Sequence, residues 1–291
     1  MELLFSSVLP ALRNAQNQDG GWGYRGGASW TAPTASALLA LAAAGERGED
    51  FARGLAFLAR SQRKDGGWAP QPSVDQSTWV TAMALLVLAD QPGAKGLQDG
   101  GGWLMRQSGR ESGYFYRFRE WLLGVRPEER TGYSGWSWYP GTAAWVAPTA
   151  LSILALEKLN RGKPDPARSA RIEDGRGFLL ARMCRDGGWN YGSTQALGFS
   201  YDSYPETTGL ALLALAGGGR RDLGKSLSCA ERYLAGRTTV EGRSWLEMAL
   251  LAHGRTPPPS PPIPQAFRNL IDTALIVVAR AAAGGRNVFL S

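Results

Sequence analysis

A short phrase, Asp-Gly-Gly-Trp, occurs at Asp19–Trp22, Asp65–Trp68 and Asp186–Trp189, each time between two stretches of helical character. A degenerate fourth copy reads Gly135-Trp136-Ser137-Trp138. Near-identical turns at such intervals are the mark of a chain built from repeated units. The 38 glycines and 11 tryptophans among 291 residues follow in part from that repeat. Around the Trp68 turn the two flanking stretches differ in kind. The one before it carries charge at helical spacing through Glu46, Asp50, Arg53 and Arg60. The one after it, Thr78 to Ala89, is apolar all round, as expected of a helix buried on every side.

The same alternation runs along the chain. Met1 to Ala15 reads as a first helix, and Trp30-Thr31-Ala32-Pro33-Thr34-Ala35 opens an apolar one, with proline suited to a helix start. Leu97 to Gln107 opens a third unit, whose Gly101-Gly102-Trp103 is a decoy that aligns with helical residues rather than with a turn. That unit resumes at Trp145-Val146-Ala147-Pro148-Thr149-Ala150. Arg168 to Arg182 pairs with Gly209 to Ala216, Leu223 to Ala235 with Trp245 to Ala252, and Phe267 to Ala282 is one more buried helix. A helix pair cannot hide its inner member alone, so units must stack. About six pairs with an all-apolar inner set suit closure into an all-α, α/α toroid with inner and outer helical rings. The expected organisation is one domain over residues 1–291, with an aromatic and arginine-rich insertion at about 109–131. A proline-rich connector, incapable of helix, fills 256–264.

Composition removes several classes of function. The formal charge is +7, but the arginines are dispersed and no dense basic block forms, so no nucleic-acid partner is expected. Cys184 and Cys229 are the only cysteines, which fits a reducing compartment and argues against a disulfide framework. Glu2 and the short apolar stretch Met1 to Leu9 do not suit a signal peptide. Asp272 and Arg280 interrupt the most apolar late segment, far short of the roughly 18 residues of a membrane helix. A cytoplasmic protein is expected, with peripheral contact at the inner membrane surface open to it through the insertion.

With these residues in view, a family comes forward. The run Arg53-Gly54-Leu55-Ala56-Phe57-Leu58-Ala59-Arg60-Ser61-Gln62, followed by Gly66 and Trp68, resembles the QW repeat of squalene-hopene and oxidosqualene cyclases. A related repeat occurs in protein prenyltransferase β-subunits. Gln16 with Gly20 and Trp22 is a second match, while the Trp189 copy carries Met183 in place of the glutamine. The resemblance covers most of the chain and implies the toroid fold, though not one activity. It implies an apolar, isoprenoid-like ligand and proton-initiated cyclisation by a terpene cyclase of isomerase or lyase type. It also suggests a second toroid domain or a homodimer as partner.

Cyclases of this kind open one inner helix with Asp-x-Asp-Asp-Thr-Ala, whose middle acid protonates the substrate. Matching Thr208 to that motif places Glu206 at the proton donor's position, with both flanking aspartates absent. A glutamate in a helix's first turn is also favoured there by the helix dipole alone. Asp202 is a weaker candidate acid. Asp75 lies just upstream of an inner helix, and Asp272 matches the motif's final acid, so both join the candidate binding residues. Trp30, Trp79, Trp145 and Trp245, with Tyr204, recur at inner-helix starts, where they could ring a cavity and hold a polyprene or a carbocation by cation–π attraction. In the insertion, Tyr116, Arg117, Arg119 and Trp121 are candidates for a lid or for meeting a diphosphate. The prenyltransferase zinc site resembles an Asp-x-Cys turn with a later histidine. Here that turn reads Asp186-Gly187-Gly188, so no metal and no cofactor are expected, and a zinc prenyltransferase is disfavoured. Two other readings stay open: a non-catalytic QW-repeat scaffold and a carbohydrate-active α/α toroid.

Overall fold

A computed structural model describes residues 5, 8–91, 93–113, 118, 122, 132–192, 195–196, 199–219, 221–261 and 269–290. Among them the helices are α1 (Val8–Asn14), α2 (Thr31–Ala44), α3 (Glu49–Arg60), α4 (Val80–Leu88), α5 (Leu97–Arg106), α6 (Val146–Gly162), α7 (Pro166–Ala181), α8 (Pro205–Leu215), α9 (Gly224–Ala235), α10 (Val240–Ala252) and α11 (Leu270–Ala283). Two antiparallel pairs, Trp136–Ser137 with Ala144–Trp145 and Gln195–Ala196 with Phe199–Ser200, are the short strands. Helices α2, α4, α6, α8, α10 and α11 pack each on the next, and α11 packs back on α2. The architecture is an α/α toroid with these six as its inner ring. Helices α3, α5, α7 and α9 lie outside it against the inner helices they precede or follow, and α1 rests on α11.

The two rings follow from composition. Inner helices such as α2 and α4 are Ala- and Leu-rich, good helix formers, and buried over nearly their whole length. The outer helix α3 buries Phe51, Gly54, Phe57 and Leu58 on one face. Its first turn carries Glu49 and Asp50 and its last Arg60, which complements the helix dipole.

Each Asp-Gly-Gly-Trp turn is a joint tying one unit to the next. The indole N–H groups of Trp22, Trp68, Trp136 and Trp189 donate to Leu12 O, Leu58 O, Leu104 O and Leu179 O, at 2.6–2.8 Å. Each adds a second, shorter bond to a carbonyl near the end of an outer helix that also accepts from the backbone N–H three residues on. Their backbone N–H groups donate to Thr34, Thr81, Thr149 and Thr208 Oγ1 on the inner helices. Gln16 and Gln62 donate to Gly20 O and Gly66 O in their own turn and to Asp50 O and Gly96 O at the next outer helix. The turn aspartates accept from the second glycine's N–H and from a serine ahead of the inner helix, as Asp65 does from Gly67 and Ser77. Desolvation alone would raise the Asp65 carboxyl, but those two hydrogen bonds and the nearby Arg63 guanidinium hold it below the usual range.

Gly66 has φ +93, and a Cβ there would lie 2.6 Å from Asp99 O on the next outer helix. Both the backbone conformation and the space therefore demand glycine. Gly66→Ala is expected to cost about 1–3 kcal/mol, the usual range for a strained backbone. Urea unfolding reads this directly, and a midpoint equal to that of the unmodified protein would show that the close approach is not needed.

Several expectations shift by a turn or fall outside the described region. Trp103 is helical, as its decoy status required. Helix α10 begins at Val240 rather than Trp245, because Thr239 caps it by accepting from Gly242 N. Of the insertion, Arg110–Ser112 forms a 3-10 turn, and Phe118 and Leu122 are exposed. Tyr116, Arg117, Arg119 and Trp121, proposed for a lid or a diphosphate, lie outside the described residues, as do 262–264 of the connector. No described helix is long and apolar enough to cross a membrane.

Candidate functional site

Because the inner helices are wound into a closed ring, their first turns converge on a central space. A cavity of about 400 Å³ lies there. Helix α2 supplies Ala32, Ser36 and Leu39, α4 Met83 after Trp79, α6 Ala147 and Leu151, and α8 Leu210. Helix α10 supplies Glu241 and Trp245, and α11 Ile271, Ala274, Leu275 and Val278, preceded by Asn269. Tyr24, Arg25, Trp138 and Phe289 complete the wall from loops. The lining is aliphatic and aromatic with a few polar groups, the usual make-up of a small-molecule site.

Two tryptophans named from the sequence, Trp79 and Trp245, form part of this wall. Trp79 meets Trp138 edge-on at 4.9 Å, and Trp245 lies 5.2 Å from the Phe289 ring. Trp30, Trp145 and Tyr204 are the extended residues just before α2, α6 and α8, and they are not among the lining residues. Trp30 packs against Tyr24 at 5.5 Å, while Trp145, Tyr191 and Tyr204 form an exposed aromatic row. The difference is register. An extended cap residue diverges from the ring axis, whereas Trp79, also at a cap, already has helical backbone and Trp245 sits one turn inside its helix.

The acids separate similarly. Asp75 is 99% exposed in its side chain and pairs with Arg63 at 2.5 Å. Asp202 is exposed in the segment ahead of α8. Glu206, in the first turn of α8, is half-buried and accepts from the Thr239 hydroxyl; it does not line the cavity. Asp272, in the first turn of α11, accepts from Asn269 Nδ2 at 3.2 Å, and only its neighbours Asn269 and Ile271 reach the wall.

Among the described residues the carboxyl group that does line the cavity is Glu241, which sequence reasoning passed over. Its burial pushes it above the usual carboxylate range. A hydrogen bond with Trp245 opposes that shift, and the carboxylates of Glu206 and Asp272 reinforce it. Three adjacent inner helices thus each bring an acid in their first turn, and one of the three faces the apolar space. A buried carboxyl kept toward its neutral form can donate a proton where the charged form could not. The local signal was present: Thr239 two residues before Glu241 is a helix-start pattern.

Among the described residues no group of three or more His, Cys, Asp or Glu side chains could hold a metal ion. Cys229 lies 3.7 Å from Ser203 Oγ beside the fourth turn, and burial pushes the Cys184 thiol up to about 11. His253 Nε2 is 2.9 Å from Leu212 O at the far end of α10.

No family model matches the chain. It is 45% identical over 62 residues to drimenyl diphosphate synthase from Streptantibioticus cattleyicolor, a match spanning 21% of this chain and 12% of that protein. Among solved structures it is similar to a variant of the type II terpene cyclase MstE from Scytonema in complex with its substrate, geranylgeranyl dihydroxybenzoate. That likeness has a TM-score of 0.59 at 14% identity and covers 96% of this chain and 77% of that one. It is also similar to ent-copalyl diphosphate synthase from Streptomyces platensis, with a TM-score of 0.53 at 22% identity over 88% of this chain and 50% of that one. At these identities the likeness is one of architecture: the chain has the α/α-toroid fold of the type II terpene cyclases.

Proposed function

We propose that this toroid binds an isoprenoid-like apolar chain in its central cavity and starts its cyclisation by protonating an alkene. The observation carrying this reading is the position of Glu241, the carboxyl in a mostly aliphatic and aromatic wall whose other polar members include Arg25, Ser36 and Asn269. In the proposed step the Glu241 O–H bond breaks and its proton adds to one alkene carbon. The tertiary carbocation left at the other carbon is attacked by the next double bond of the folded chain. A water molecule takes a proton from the final cation, which ends the reaction. The Glu241 carboxylate is reprotonated from solvent, so the chain is isomerised with no net gain or loss of protons. Trp79, Trp138 and Trp245 offer ring faces to the positive charge as it migrates. Glu206, the acid first suggested by the family motif, takes the supporting place behind Glu241. The substrates of MstE and the names of the other relatives support an isoprenoid over a sugar. So does the exposure of Asp202, the carboxylate that a glycan-cleaving pair with Glu206 would need. A second toroid domain, a homodimer or the 109–131 insertion would cover the open end, and peripheral membrane contact would bring the substrate to it.

The test is native mass spectrometry of freshly purified protein, followed by incubation with linear polyprenols and their diphosphates and analysis of the extract. A retained isoprenoid, or products isomeric with the added chain, is the expected result. A protein that retains none and leaves every chain unconsumed is a scaffold, and the reading fails.

A further inference from the structure

Beyond α11 the chain reverses through Gly285, whose φ is +87, and Arg286 N donates to Ala281 O. This returns Val288–Leu290 beneath the ring, at the end where the inner helices finish. Phe289 is 1% exposed, forms part of the cavity wall and meets Trp245. Its backbone is held by α6: Arg161 donates to Phe289 O at 3.4 Å and Lys158 to Val288 O at 2.6 Å.

Lys158 is the unusual part of this arrangement. It is 4% exposed, and an ammonium group is costly to bury unless its donors are all matched. It has three donors, and they meet Val288 O, Leu86 O near the end of α4, and the Asp90 carboxylate just beyond. Burial pulls the amine below its ordinary range, with Asp90 opposing the shift. A buried ion pair is poor evidence for stability, since apolar residues of similar volume often serve as well. What it supplies is register: two inner helices and the returning turn are locked to one point, directly below the cavity. The cation also sits where the carbonyl ends of α4 and α6 favour positive charge.

We propose that Phe289 is the floor of the cavity, anchored through Lys158, and that it sets the longest apolar chain the ring accepts. The inference rests on the isoprenoid reading for its substrate and on the geometry alone for the floor. An aromatic ring closing the blind end of an apolar tube limits length by volume. Removing it opens space toward the helix ends, while enlarging it fills the space above.

The test compares Phe289→Ala, Phe289→Leu, Phe289→Trp and Lys158→Met with the unmodified protein on two ladders of probes. One runs geraniol, farnesol, geranylgeraniol; the other runs hexanol, decanol, tetradecanol, with binding read by calorimetry and native mass spectrometry. Phe289→Ala is expected to raise affinity for the longest member relative to the shortest by about tenfold or more, and Phe289→Trp to reverse the preference. Lys158→Met should move it in the same direction as Phe289→Ala by releasing the turn. Should Phe289→Ala not fold, Phe289→Leu carries the same prediction with a smaller shift. Unchanged length preference across the folded Phe289 variants overturns the floor, even if isoprenoids bind. A shift confined to the alkanols, with no isoprenol bound by any protein, leaves the floor standing and sinks the isoprenoid reading.

Discussion

Trp68→Ala is expected to lower the unfolding free energy by about 3–5 kcal/mol, the range for deleting a fully buried large aromatic side chain. The site has no easy way to collapse. The ring is 0% exposed and lies against the α-carbon side of Gly100, where an added Cβ would be 2.8 Å from it, and that Cβ would sit 2.9 Å from Leu85 on the inner helix. Three helices therefore share one indole, and backbone on two sides cannot move in to fill the void. The indole N–H also donates to Leu58 O at 2.7 Å, and losing it leaves that carbonyl with only the longer bond from Ser61 N at 3.2 Å. Trp68→Phe separates the two effects, since it keeps most of the bulk and removes the donor. Urea unfolding should show midpoints in the order unmodified, Phe, Ala at a common slope. If alanine costs less than about 1 kcal/mol, the turn tryptophan is not the joint between units.

That joint was the most legible part of the molecule. Asp, two glycines and Trp report their own geometry, because positive φ and a close backbone approach admit few other residues at Gly66 or Gly187. The uniform apolarity of Ala35–Ala43 and Val80–Leu88 likewise announced an inner ring. The site was less legible for a physical reason. Which residue faces the ring axis depends on helix register to within one residue, since each step turns a side chain by about 100°. Starting α10 at Trp245 made that tryptophan look like Trp30 and Trp145 and hid Glu241, although Thr239 marked the earlier start. Phe289 had no local signal at all. It follows a glycine pair in a short stretch without periodicity, and its place in the wall comes from Lys158, far away in sequence. Motif matching pointed to Glu206, which is one helix over from the carboxyl that faces the cavity.

Glu241→Gln is accordingly expected to reduce product formation by about 10²–10⁴, the usual contribution of a positioned general acid, while leaving isoprenoid binding nearly unchanged. The amide keeps the shape and can still hydrogen-bond Trp245, so a folded, ligand-competent protein without turnover is the signature. Glu206→Gln should behave differently. In the proposed mechanism the active form is protonated Glu241, so the expected rate is full below its pKa and falls as pH rises through it. Burial lifts that pKa above the usual carboxylate range, and the Glu206 and Asp272 charges lift it further. Removing the Glu206 charge lets Glu241 ionise more readily and moves the fall in rate to lower pH, with little change on the acid plateau. Trp245→Phe moves it to higher pH, because the hydrogen bond it deletes favours the ionised form. Opposite displacements from two neighbours of one carboxyl would be hard to obtain from packing defects. If instead Glu206→Gln abolishes product at every pH while Glu241→Gln retains it, the proton comes from α8. The cavity wall would then be a binding surface served by an acid just outside it.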